Sequence, residues 1–211
     1  MWMVITYNGA EFFKVQFGNT TVAFNPISKD SKLKNARFGA DIALVSVNHE
    51  DMNGVDMVSH GERQPIVITG PGEYETKDVF IKGFESHSGY GGSHINTIYI
   101  LSLDSMNLCF LGALDTPELK KEIVEDLGDI DILFVPIGGN GVLEPAAAYR
   151  LAVQLEPKVI IPMHYGMNGD DKMLKLFLKE GGEAGDTLDK YTVKKKDLEG
   201  KEGDIIVLKA E

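Results

Sequence analysis

The sequence predicts an α/β protein of two mixed β-sheets packed face to face, with helices on the outside. Residues 2–7, 11–17 and 20–25 are apolar-rich runs separated by Asn8-Gly9 and Gly18-Asn19, dipeptides that tolerate positive φ and close hairpins, so the chain opens as a β-meander. From Asp131 onward the pattern changes to apolar strand, glycine loop and helix in alternation. No repeat is long enough for a solenoid, so the two halves are expected to close on each other.

The elements follow in order. The basic stretch Ser31 to Phe38 reads as a loop or one helical turn, and residues 42–47 form a hydrophobic run that ends abruptly at Asn48, a buried strand passing into a loop at a sheet edge. Gly54 to Gly61 reads as a short helix, and residues 65–69 as a strand before the tight turn Gly70-Pro71-Gly72. Residues 79–84 alternate as a strand that His87 is expected to end, releasing a glycine-rich loop over 85–94. Strands at 98–103 and 107–111 flank Asp104-Ser105, and Asp115-Thr116-Pro117-Glu118 reads as a capped helix start continuing to about Leu127. The apolar strand at 131–137 leads to a helix from Glu144-Pro145 to Leu155, and the strand at 157–162 to a helix at 170–179. Strands near 191–195 and 204–209 close the chain, with Lys194-Lys195-Lys196 read as a solvated strand edge that resists aberrant pairing.

A chain of 211 residues suits one domain, expected over 1–211. Its formal charge of −11 argues against nucleic acid, because such binding draws its affinity from Lys and Arg set against phosphates. The opening Met1-Trp2-Met3-Val4-Ile5-Thr6-Tyr7 lacks a basic region followed by a long apolar core, so neither a signal peptide nor a membrane span is expected there. Cys109, the single cysteine, falls in a buried strand; no internal disulfide can form and a cytoplasmic setting is expected.

The stretch that carries chemistry is Ser46-Val47-Asn48-His49-Glu50-Asp51-Met52, at the end of a buried strand, where loops commonly hold functional groups. It resembles the Ser/Thr-His-x-His-x-Asp-His signature of the metallo-β-lactamase superfamily, with Ser46, His49 and Asp51 matching and Val47 and Met52 standing at the first and last His. Four further stretches fit in order. Gly70-Pro71-Gly72-Glu73-Tyr74-Glu75 resembles a subfamily of small metal-dependent hydrolases, and His87-Ser88 with Asn96-Thr97-Ile98-Tyr99 resembles its next motif. Phe110-Leu111-Gly112-Ala113 stands where that subfamily has His-Leu-Gly-Asp, and Ile161-Pro162-Met163-His164-Tyr165 resembles the fifth motif. The opening has likewise lost ionisable groups, with Gly9-Ala10 for Gly-His and Asn25-Pro26 for Asp-Pro.

The resemblance implies a four-layer αββα sandwich and a family chemistry in which two zinc or similar ions hold an attacking hydroxide. It also implies that this chain's ligand set is incomplete, since Val47, Met52 and Ala113 replace two imidazoles and the bridging carboxylate. Two readings stay open. In one, His49, Asp51, His87 and His164 converge on a single ion, at most one Zn, with Asp51 also catalytic and Glu73 or Tyr165 near a small or phosphorylated substrate. In the other no metal binds, hydrolysis is weak or lost, and the scaffold serves a binding or regulatory role. His94, His60 and Glu50 are the residues that can replace an absent ligand from another direction. A homo-oligomer and a small-molecule ligand fit either reading.

Overall fold

The computed structural model describes residues 1–167, 169–182 and 187–211. The opening meander is β1 (Met3–Tyr7), β2 (Phe13–Phe17) and β3 (Thr20–Phe24), followed by β4 (Ile42–Leu44) and β5 (Ile66–Ile68). Next come β6 (Gly72–Thr76), β7 (Val79–Ser88), β8 (His94–Leu103) and β9 (Met106–Phe110). The alternating region holds α1 (Lys121–Leu127), β10 (Ile132–Pro136), α2 (Pro145–Leu155), β11 (Val159–Met163) and α3 (Lys172–Glu180). The short strands β12 (Thr187–Leu188), β13 (Tyr191–Val193), β14 (Asp204–Ile205) and β15 (Val207–Leu208) finish the chain.

Six strands in the order β13-β1-β2-β3-β4-β5 make one mixed sheet, and seven in the order β14-β11-β10-β9-β8-β7-β6 make the other. Strand periodicity explains how they pack. In β1 the residues Met3, Ile5 and Tyr7 are buried while Val4 and Thr6 are half-buried, so one face enters the core. In β10 all residues are buried, because Ile132 and Phe134 face the opposite sheet while Leu133 and Val135 face the helices. Between the sheets Phe24 meets Phe110 at 4.8 Å and Phe13 meets Phe134 edge-on at 4.8 Å, aromatic contacts that add about 0.5–1.5 kcal/mol each beyond burial. The αββα sandwich is therefore present, with one thin outer layer. The first sheet's outer face, including Phe12, Ala23 and Ala43, is covered by the loop around Ile27 and by Val58, which follows the 3-10 turn Val55–Met57.

The structure corrects several boundaries. The helix expected over Gly54 to Gly61 is only that 3-10 turn: a Cβ on Gly54 would lie 2.4 Å from the Ile27 carbonyl, so the chain is pressed too close for a regular helix to wind there. His87 does not end a strand. It lies inside β7 and pairs with Ile95, because the antiparallel ladder with β8 persists through polar residues to Ser88↔His94 and leaves only residues 89–93 as the loop. Asp115 does not cap a helix; α1 begins at Lys121, and the Asp115 carboxylate is instead taken by His87. The lysine run is not simply solvated, since Lys195 Nζ reaches buried Asp131 at 2.6 Å and Lys194 stands 4.1 Å over the Trp2 ring.

Candidate functional site

The loop after β4 is fixed where the two sheets meet. Tyr99 O–H on β8 donates to the Val45 carbonyl at 2.9 Å, and the Thr97 amide donates to the Ser46 carbonyl at 2.9 Å, so the second sheet holds the strand end from which residues 46–53 depart. Gly112, at φ 59°, lies so close to Ser46 that a Cβ there would meet its Oγ at 2.6 Å. His49, Asp51 and Ala113 are thereby set beside the glycine loop after β7.

That loop delivers a side chain not anticipated from the sequence. Tyr90 inserts between His49 and His164, its ring 5.1 Å from the first and 4.8 Å from the second, edge-on to both. Its hydroxyl donates to Asp51 Oδ2 at 2.7 Å, and Ser31 O–H donates to the other oxygen of the same carboxylate. Burial and the Asp51 carboxylate push the Tyr90 phenol well above its ordinary pKa, so it stays a donor. The loop is locked in this pose: the Gly89 amide donates to Gly141 O, and a Cβ on Gly141 would sit 2.7 Å from the Tyr90 Cα. A glycine-rich loop holding one large aromatic residue was the signal available in the sequence.

Val47, Met52 and Ala113, which by resemblance stand at ligand positions of the family, pack together with Val142 and Tyr90 as one apolar cluster. Val47 is 1%, Met52 0%, Ala113 0% and Val142 4% exposed, and Tyr90 is half-buried.

His164 is buried at φ 62°, and its Nδ1 pairs with Glu11 Oε1 at 2.9 Å. Asn25 Nδ2 donates to Glu11 Oε2 at 2.7 Å and to Ser46 Oγ at 2.7 Å. A carboxylate at position 25 would face Glu11 with like charge and no proton to donate, so Asn25 and Glu11 belong to the same change in chemistry. Glu11, which lies in the turn after Asn8-Gly9 and reads in the sequence as the start of an apolar run, was missed there.

The remaining expected residues lie in other surroundings. His49 Nδ1 accepts from the Asp51 amide at 3.2 Å and stands 3.6 Å from Asp51 Oδ2. His87 Nδ1 pairs with Asp115 Oδ2 at 2.6 Å and its Nε2 meets Ser93 Oγ at 2.9 Å. Glu73, on edge strand β6, forms an ion pair with Lys82, and Tyr165 O–H donates to the Leu208 carbonyl at 2.6 Å. Of the alternative ligands, His94 has a buried Nε2 without a partner among the described residues, 6.3 Å ring to ring from His49. His60 forms a bridge with Arg63, away from this group, and Glu50 is exposed. Among the described residues no three His, Cys, Asp or Glu side chains are arranged to hold a metal ion. The donors present do not fit the two-metal centre of the family: apolar groups stand at three positions that resemble its ligands, and a phenol and a hydroxyl occupy Asp51.

Two mixed sheets with these loops gathered at one end of the sandwich define the metallo-β-lactamase fold. The chain belongs to the β-lactamase superfamily domain family, whose profile matches residues 4–164. It is 24% identical over 194 residues to a metal-dependent hydrolase of Lysinibacillus sphaericus, covering 77% of this chain and 85% of that one. A metal-dependent hydrolase of Listeria welshimeri is 26% identical over 196 residues, covering 77% and 85%. Among solved structures, a protein of Thermotoga maritima assigned to the Zn-dependent hydrolases of the metallo-β-lactamase superfamily superposes with a TM-score of 0.76 at 28% identity, over 98% of each chain. No helix among the described residues is long and apolar enough to cross a membrane.

Proposed function

We propose that this protein is a member of a metal-dependent hydrolase family that has exchanged its metal centre for packed side chains and acts as a small-molecule-binding protein. The observation that carries this reading is the cluster of Val47, Met52, Ala113, Val142 and Tyr90. An ion in its place would need the desolvated side chains of Val47 and Ala113 to supply donors they do not have, and a thioether such as Met52 suits softer ions than zinc. The ligand site we assign is the pocket of about 440 Å³ beside β7 and α1, lined by His87, Ser93, Ile95, Leu114, Leu119 and Ile123. Its mixture of aliphatic wall and hydroxyl and imidazole groups suits a small, largely apolar molecule with one polar function. A buried thiol at Cys109 and the absence of a second cysteine fit a cytoplasmic setting.

Metal analysis of protein purified without chelator tests the reading. Less than about a tenth of an equivalent of any transition metal is expected, against the full equivalent that a three- or four-ligand zinc site retains. A stoichiometric ion that dialysis does not remove overturns it.

A further inference from the structure

The same pocket holds a relay built on His87, which resembles a family ligand and is here paired with Asp115 and Ser93. Ser93 O–H, His87 and Asp115 lie in line, Oγ to Nε2 at 2.9 Å and Nδ1 to Oδ2 at 2.6 Å. Because the Asp115 carboxylate can only accept, the imidazole must donate from Nδ1, which leaves Nε2 bare to accept the serine proton. We propose that Ser93, His87 and Asp115 form a metal-independent acyl-transfer site for small carboxylic esters, a reading that rests on the pocket assigned above as the ligand site.

Three features support it. Gly91 and Gly92, at φ 66° and 138°, take a turn that L side chains rarely adopt and swing Ser93 to the exposed tip of the β7–β8 hairpin. A serine on a sharp turn at a strand end has its Oγ held out where a substrate can reach it. The backbone N–H of Ser93, a residue that lines the pocket, is left without a backbone acceptor among the described residues and is open to a developing oxyanion. The wall of Leu114, Leu119 and Ile123 lies beside them for the apolar part of the ester.

The step balances without metal or redox partner. Ser93 Oγ bonds to the ester carbonyl carbon as its proton passes to His87 Nε2. The carbon–oxygen bond to the alcohol then breaks and the alcohol leaves with that proton. Water repeats the sequence: its oxygen bonds to the acyl carbon, its proton goes to His87, and the acyl–Ser93 bond breaks as Ser93 regains a proton. Ser93 and His87 are the catalytic residues, and Asp115 is a positioning residue that acts through His87.

The test uses the full chain in the presence of chelator, with an alkyl fluorophosphonate as covalent probe and N-(4-nitrophenyl)acetamide as an unreactive ester mimic. Intact-mass and peptide analysis should find one phosphonyl group, on Ser93, absent in Ser93→Ala. His87→Gln should slow labelling by about a hundredfold or more, the usual weight of a general base. Asp115→Asn should slow it similarly while Asp115→Glu restores part of the rate, a rescue that a merely structural role would not give. If the mimic binds and Ser93 is not labelled, the relay is refuted and the pocket reading survives. If the mimic neither binds nor the probe labels, both are refuted. Labelling of Ser93 that is indifferent to His87→Gln refutes the relay.

Discussion

The phenol of Tyr90 can be removed with its ring left in place. Tyr90→Phe keeps the ring between His49 and His164 and deletes only the hydroxyl that donates to Asp51 Oδ2 at 2.7 Å. Asp51 is 8% exposed, so water cannot freely replace the lost donor, and Ser31 already serves the other oxygen. A hydrogen bond to a charged group contributes about 1.5–3 kcal/mol. For a chain of this length each kcal/mol moves the melting temperature by about 2–4 °C, so a fall of about 3–12 °C is expected. Urea unfolding followed by tryptophan fluorescence and circular dichroism gives the free energy directly, with the denaturant slope checked for constancy. A loss below about 0.5 kcal/mol, the range of an inert surface change, would refute the claim that this phenol is a structural plug.

Further outcomes follow from the same geometry. Glu11→Ala should cost about 3–5 kcal/mol, because His164 Nδ1 and Asn25 Nδ2 lose a buried charged partner; a double-mutant cycle with His164→Ala should show coupling above about 1 kcal/mol. Acid should destabilise the fold through Asp131 and Asp41. Burial alone would raise each carboxyl, but Lys158 and Lys195 at Asp131, and Lys77 with the Thr21 amide at Asp41, outweigh it and hold both below the ordinary value of 3.8. The unfolded chain then binds these protons more readily than the native one, so their stabilisation is full above pH about 4 and is lost as pH falls through the lower native values, read as a declining unfolding free energy. The triple change Val47→His, Met52→His and Ala113→Asp should bind zinc poorly while Tyr90 still holds Asp51, and adding Tyr90→Gly should give about two zinc ions per chain. A folded quadruple variant that binds none would contradict the placement of the family motifs on this sequence.

Most of the sandwich was legible because its strands announce themselves by alternation and turn chemistry. Asn8-Gly9 and Gly18-Asn19 fix the β1-β2-β3 meander, and Pro145 fixes the start of α2. The errors arose where tertiary contacts override local pattern. Polar His87 and Ser88 stay in β7 because β8 completes their ladder, and the Asp115 carboxylate serves an imidazole 28 residues away rather than its own helix. In the site, the interruption of recognisable motifs by Val47, Met52 and Ala113 was legible in the sequence. The rest of the site was not, because Tyr90 and Glu11 come from distant loops whose approach is decided by sheet packing. A glycine-rich loop tells little about where its aromatic residue points until the facing glycine, Gly141, is seen to leave room for it.

The most direct test is an anomalous-difference map from crystals grown without chelator and soaked in a zinc salt. With packing in the old metal position, the space bounded by Val47, Met52, Ala113 and Tyr90 carries no peak, and the Tyr90 hydroxyl remains on Asp51. A strong peak ligated by His49, Asp51 or His164, with Tyr90 swung aside, would contradict the account.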